Sequence, residues 1–344
     1  MNPQVAVATK AEAANAVPSF VAVDGPVRDA FLRFRPDGSR DGRLLNLYTI
    51  SGRVDAPGCA LAQPDFDAEI AGDNLGFRVP SPMFGAGLVE AIDDGTILRN
   101  MAADHSRKQS LGIGGHPNTR PDGTIGRLGW KAELKSIEIF VAGAYNVEIG
   151  ATNPLSRIER DPDPACHFNP TPEDHFKPGA PTLPEFVPDV VNLAFFVRFL
   201  APPSPAPDTP SIARGRDLFG QVGCALCHTP SLRTGASAKR ALRNKPVSLF
   251  SDLIVHRMGP GLADQIAVGK AGPDEFRSAP LWGVGQRIFL MHDGRTRDLL
   301  EAIRAHQSDG DARFPASEAN AVVNAFNALT EEQKQSVLDF LRAL

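Results

Sequence analysis

The chain has 344 residues, 42% of them apolar, and a formal net charge of -4 at neutral pH. These are ordinary values for a globular protein with room for two domains. A pI near 6.1 and the lack of any basic run exclude a general phosphate-binding surface. No apolar run reaches the roughly 20 residues that span a bilayer; residues 190–200 come nearest, and they carry Asn192 and Arg198.

Residues 1 to about 130 are rich in Gly, Pro and Asp, and short apolar pieces such as 44–50 read as strands between turns. Residues 82–92 read as a tight turn feeding a short helix. From Trp130 to Asn146 the pattern suits a helix, with Leu134, Ile137 and Val141 on one face. Prolines dominate 161–188, which predicts a long loop, and a helix follows over 189–200. The stiff stretch around Pro202, Pro203, Pro205 and Pro207 marks the strongest boundary, so the domains are cut between 205 and 206. Thr209 then reads as an N-cap with Pro210 at the first helical position. Near the C-terminus, Thr330 and Gln333 form a capping box before a helix with Val337, Leu338, Leu341 and Leu344 on one face.

The most specific signal is Cys224-Ala225-Leu226-Cys227-His228, the C-x-x-C-H pattern of c-type haem attachment. Cysteines three apart lie about one helical turn from each other, so both sulfurs can form thioethers along one porphyrin edge. His228 is carried beneath the ring as proximal iron ligand. A redox dithiol needs only the cysteines, and a zinc site needs a second ligand pair; neither explains the histidine. The remaining cysteines, Cys59 and Cys166, are candidates for a disulfide, with two free thiols as the alternative. Haem c is attached outside the cytoplasm, yet residues 1–20 lack a basic segment followed by a continuous apolar one. The expectation is a periplasmic protein whose sequence here is a piece of a longer exported precursor.

The second half resembles the di-haem oxidoreductase family, a peroxidase-like group related to di-haem cytochrome c peroxidases. The carrying stretches are Gly126-Arg127-Leu128-Gly129-Trp130-Lys131-Ala132, residues 224–230, 251–259 and 276–285, then His292-Asp293-Gly294-Arg295 with Ala302-Ile303-Arg304-Ala305-His306. The resemblance implies a mainly α fold with irregular and minor β content. It implies a cytochrome c-like helical domain over 206–344, with first and last helices packed together, and a degenerate cytochrome-c-like domain over 1–205. Relatives carry one C-x-x-C-H per domain, whereas this chain has one in all. The first motif is therefore missing.

Candidates for the sixth iron ligand are His256, Met258, Met291, His292 and His306. His306 is favoured because it falls at the ligand position of the relatives' pattern, with His256 and Met258 as alternatives. Pro280, Leu281 and Trp282 are expected in the haem wall and Arg277 at a propionate; His292 reads either as a propionate or domain-interface contact or as part of a capped helix start with Asp293 and Arg295 solvated. Trp130 resembles the tryptophan between the two haems of relatives, and a buried core aromatic is its other reading. Glu148 falls near their acid/base glutamate, while Phe140 stands where they carry glutamine. His105, His116, His167 and His175 read as exposed loop residues. In some relatives a calcium ion braces the domain interface, and the resemblance leaves calcium open for this chain.

Three functions are weighed. The first is an electron carrier with one covalent haem c, exchanging electrons with a redox partner protein or a second haem domain. The second is a di-haem peroxidase-type enzyme, incomplete in this chain. The third is a haem-free thiol-redox or binding module.

Overall fold

The computed structural model describes residues 1–8, 15–49, 57–161, 163–167, 169–175 and 187–344. Among these, helices dominate and strands occur as three two-stranded antiparallel ladders. The chain divides into two compact units, each discontinuous: Met1–Pro80 with Ser136–Val197, and Ser81–Lys135 with Arg198–Leu344. This departs from the cut expected at 205/206. Residues 81–135 build the same body as the C-terminal half. The physical reason is close backbone packing: Gly85 donates to the Leu200 carbonyl, and Gly87 lies so near Arg198 that a Cβ there would sit 1.9 Å from its carbonyl oxygen. The 202–207 proline run begins just beyond that contact.

In the first unit, strand Asp29–Leu32 pairs with Leu75–Arg78, and Ala30, Leu32, Phe66 and Leu75 form its small core. The strand expected over 44–50 is absent where described. Leu44 makes only an isolated bridge to Phe31, and Ile50 lies outside the described residues. The helix expected from Trp130 starts later, at Ile137–Glu148, because Ser136 caps it by accepting from the Glu138 N–H. Cys59 and Cys166 are joined in a disulfide across 107 residues. Part of the loop expected over 161–188 is outside the described residues. The helix expected over 189–200 is Asp189–Phe199, and the unit boundary falls within it.

In the second unit, the short helix expected over 82–92 is Ala86–Ala91, entered through Gly85 in a left-handed conformation (φ 70°). Helix Pro210–Val222 is capped by Thr209, with Pro210 in its first turn. Helix Glu331–Ala343 carries the complete Thr330/Gln333 capping box. The two helices pack on each other through Ile212, Leu218 and Phe219 against Val337, Phe340 and Leu341. Phe219 and Phe340 meet edge to face with centroids 5.4 Å apart. No described helix is long and apolar enough to cross a membrane.

Candidate functional site

The Pro210–Val222 helix ends at Gly223, whose φ of 106° excludes an ordinary side chain and turns the chain into a single 3-10 turn, Cys224–Leu226. The His228 N–H donates to the Cys224 carbonyl, and the Asp252 N–H to that of Cys227. Cys224 and Cys227 are free, half-buried thiols lining one cavity of the second unit. Burial, reinforced by Cys227, pushes the Cys224 thiol up to about 12, so it remains protonated.

His228 and His306 enter the same cavity from separate elements, the haem motif and the end of helix Leu299–Ala305. Their ring centroids are 6.4 Å apart. Two imidazoles sharing a first-row metal, each nitrogen about 2 Å from it, have centroids roughly 6 Å apart. Both rings are oriented through Nδ1, His228 to the Phe250 carbonyl at 3.0 Å and His306 to the Ala302 carbonyl at 2.7 Å. The carbonyls must accept from N–H, which leaves Nε2 of each ring as the bare nitrogen. Burial, with His306 adding to it, holds His228 down to about 4, and burial lowers His306 as well.

His256 also reaches this cavity, but both its nitrogens are engaged. Nε2 lies 2.9 Å from Asp252 Oδ2 and Nδ1 3.0 Å from Glu318 Oε2, all three side chains being buried. Burial alone would lower its pKa; the neighbouring Cys227 sulfur and the Asp252 carboxylate outweigh that and raise it well above the usual value. An imidazolium held between two carboxylates has no lone pair for a metal. Met258 packs with Leu262, Phe276, Trp130 and Met291. His292 is buried, stacked on Phe276 at 4.2 Å and edge-on to Trp130 at 6.4 Å. The Asp293 carboxylate pairs with Arg295.

Of the residues singled out from sequence, Cys224, Cys227, His228, His306, His256, Met258, Met291, His292, Arg277 and Trp130 line this one cavity. Pro280, Trp282 and Glu148 do not. Trp282 instead packs on Gly85, where a Cβ would lie 2.5 Å from its ring. Pro280 contributes its carbonyl, which accepts from Arg287. Glu148 belongs to the first unit, at the exposed end of its helix; partial burial of its carboxyl and the nearby Asp29 carboxylate raise its pKa. His105 and His167 are exposed, as expected. His116 and His175 are half-buried, His116 pairing with Glu275 at 3.0 Å. Among the described residues no group of three His, Cys, Asp or Glu side chains could hold a metal ion.

Sequence reading did not find Ile113, Arg287, Asp252 or Glu318 at the site. Ile113 lies over a hundred residues before the haem motif, and Glu318 is 62 residues from His256. Only Arg287 left a local trace, as a lone cation before the apolar Ile288-Phe289-Leu290.

Two free thiols, two imidazoles with bare nitrogens and otherwise largely apolar walls form a donor set suited to a covalently held metallo-macrocycle. The chain belongs to the family described as "Di-haem oxidoreductase, putative peroxidase", whose profile matches residues 48–344. Haem is the cofactor that this family's name carries. No curated relative matches the chain. Among solved structures it is similar to Kuenenia stuttgartiensis hydrazine synthase, with 21% identity and a TM-score of 0.31 over 46% of this chain and 56% of that one. The chain thus spans little more than half of that relative's length. It is also similar to a MauG-like protein associated with microbial copper homeostasis, with 17% identity and a TM-score of 0.38 over 77% of this chain and 90% of that one.

Proposed function

We propose that the second unit is a cytochrome c-like domain that holds one haem c through Cys224 and Cys227, and that His228 and His306 are its two axial ligands. The observation that carries this reading is the His228–His306 pair, 6.4 Å apart in the cavity that also receives both cysteines. Bound there, the haem would supply a one-electron ferric/ferrous couple. The chain's residues hold it and exclude water. The Phe250 and Ala302 carbonyls fix the tautomer and orientation of the two ligands. Phe219, Leu341 and Val323 contribute apolar wall. Ligation by two imidazoles gives a lower potential than a His/Met pair, because thioether sulfur favours reduced iron.

The function supported best is one-electron transfer with a redox partner protein or a second haem domain, in the periplasm. Trp130, edge-on to His292 in the cavity wall, is the residue assigned to relay electrons. With His228 and His306 both holding the iron, this centre would serve to store and pass electrons rather than to bind peroxide. Peroxidase chemistry would need an open position on another haem, and Glu148 has no role at this one.

The test is export of the chain together with cytochrome c maturation machinery. One haem per chain by pyridine haemochrome and a low-spin ferric spectrum are expected. His306→Ala should turn that spectrum high-spin or open a site for added imidazole. A chain that emerges without covalent haem overturns the whole reading in favour of a thiol-redox or binding module. An unchanged low-spin spectrum in His306→Ala overturns the axial assignment alone.

A further inference from the structure

The cavity carries an unbalanced charge. None of its lining residues is Asp, Glu or Lys, yet two are arginines, Arg277 and Arg287. Arg277 is buried, and its Nε donates to the Gly129 carbonyl at 2.7 Å while Nη1 reaches the Ser278 carbonyl at 3.5 Å. Half-buried Arg287 donates from Nη2 to the Pro280 carbonyl at 3.0 Å. Neither has a carboxylate within ion-pair distance among the described residues. Arg277 Nη2 and Arg287 Nε and Nη1 make no hydrogen bond to them either. Two guanidinium groups in an apolar chamber cost free energy through lost hydration and mutual repulsion unless anions join them.

We propose that Arg277 and Arg287 form a two-point clamp for a flat, apolar dianion, namely the two carboxylates of the bound porphyrin. The inference rests on the haem reading above and adds Arg287 to it. A planar guanidinium fork matches a carboxylate with two parallel hydrogen bonds, and anchoring by backbone carbonyls pre-orders both forks before the ligand arrives. Burial pushes each arginine down to about 10, and Arg287 adds to the lowering at Arg277 while Glu133 opposes it. Arg277 thus feels the charge of Arg287 across the cavity that both line. The same pair that steadies the loaded protein strains the unloaded one.

That opposition of sign is the test. The full chain is prepared with haem attached and, by expression without maturation machinery, haem-free, as wild type, Arg287→Gln and Arg287→Lys. Arg287→Gln should raise the melting temperature of the haem-free chain and lower that of the loaded chain. Arg287→Lys, which keeps the charge and loses the fork, should leave the haem-free chain near wild type. Both variants should shift the propionate bending mode in resonance Raman spectra of the loaded chain, and that mode decides the matter if Arg287→Gln fails to fold. Arg287→Gln lowering both melting temperatures would show that its bond to Pro280 is its whole role; no change in either, or an unmoved propionate mode, would equally overturn the clamp. Pyridine haemochrome on every preparation separates the two readings. A wild-type chain without covalent haem defeats the haem assignment, whereas one haem per chain with no sign reversal defeats the clamp alone.

Discussion

His256 carries a positive charge in a cavity where the two facing imidazoles, His228 and His306, are held neutral by burial. It balances part of the charge of Asp252 and Glu318, both almost wholly buried. Removing one partner from such a buried group leaves an uncompensated charge and costs about 3–5 kcal/mol. His256→Gln should therefore lower stability by that order in urea unfolding, while haem stoichiometry and the low-spin spectrum stay as in wild type. Loss of the low-spin signal would instead make His256 a ligand. The pH dependence follows from the direction of its shift: the folded pKa is raised, so the stabilisation is complete below the ordinary imidazole value, about 6.5, and is lost as pH rises through the folded value. The wild-type advantage over His256→Gln should accordingly shrink on the alkaline side. At this scale the C-x-x-C-H pattern was plain in the sequence, because it sits in five consecutive residues. It could only offer His256 as an alternative ligand, since a histidine's role depends on neighbours that are distant in sequence.

Among the elements, the contact between helices Pro210–Val222 and Glu331–Ala343 closes one side of the cavity, and Gly215 sets its closeness. A Cβ at Gly215 would lie 1.9 Å from the Ser336 carbonyl oxygen and 2.9 Å from Phe340 Cβ. Gly215→Ala gains about 1 kcal/mol of helix propensity, but the helices must separate, and overpacking of this kind costs about 1–3 kcal/mol or more. The clash wins because the opposing atom is backbone and cannot rotate away. A lower melting temperature with a perturbed Soret band is expected; a rise in melting temperature would show that the helices shift without loss. Both helices were legible from caps and apolar spacing, which are local. The helix expected from Trp130 was drawn too early, because an apolar stripe continues across Leu134 whether or not a cap intervenes, and Ser136 provides that cap.

For the whole molecule, the division between units decides which chain segments make the chamber. A proline run is a local sign of a break, and it led to a cut at 205/206. The grouping of 81–135 with the C-terminal half depends on contacts far apart in sequence: Gly114 N–H to Glu318, Arg277 Nε to the Gly129 carbonyl, Asn100 to Thr229. A fragment of 206–344 lacks Ile113, Trp130 and these bonds. It should accept haem at Cys224 and Cys227 but melt well below the full chain, with a Soret band sensitive to added imidazole or cyanide. Equal melting temperatures for fragment and full chain would show that 81–135 is dispensable to the fold.

The Cys59–Cys166 bridge has a topological consequence for that arrangement. It closes a covalent ring of chain around residues 60–165, and the whole 81–135 segment lies inside this ring although it packs with residues 198–344. A single peptide cut anywhere within the ring therefore releases no fragment while the disulfide stands. The cavity wall stays leashed to the chain at both ends of the break, and reduction of the disulfide would be needed to set it loose.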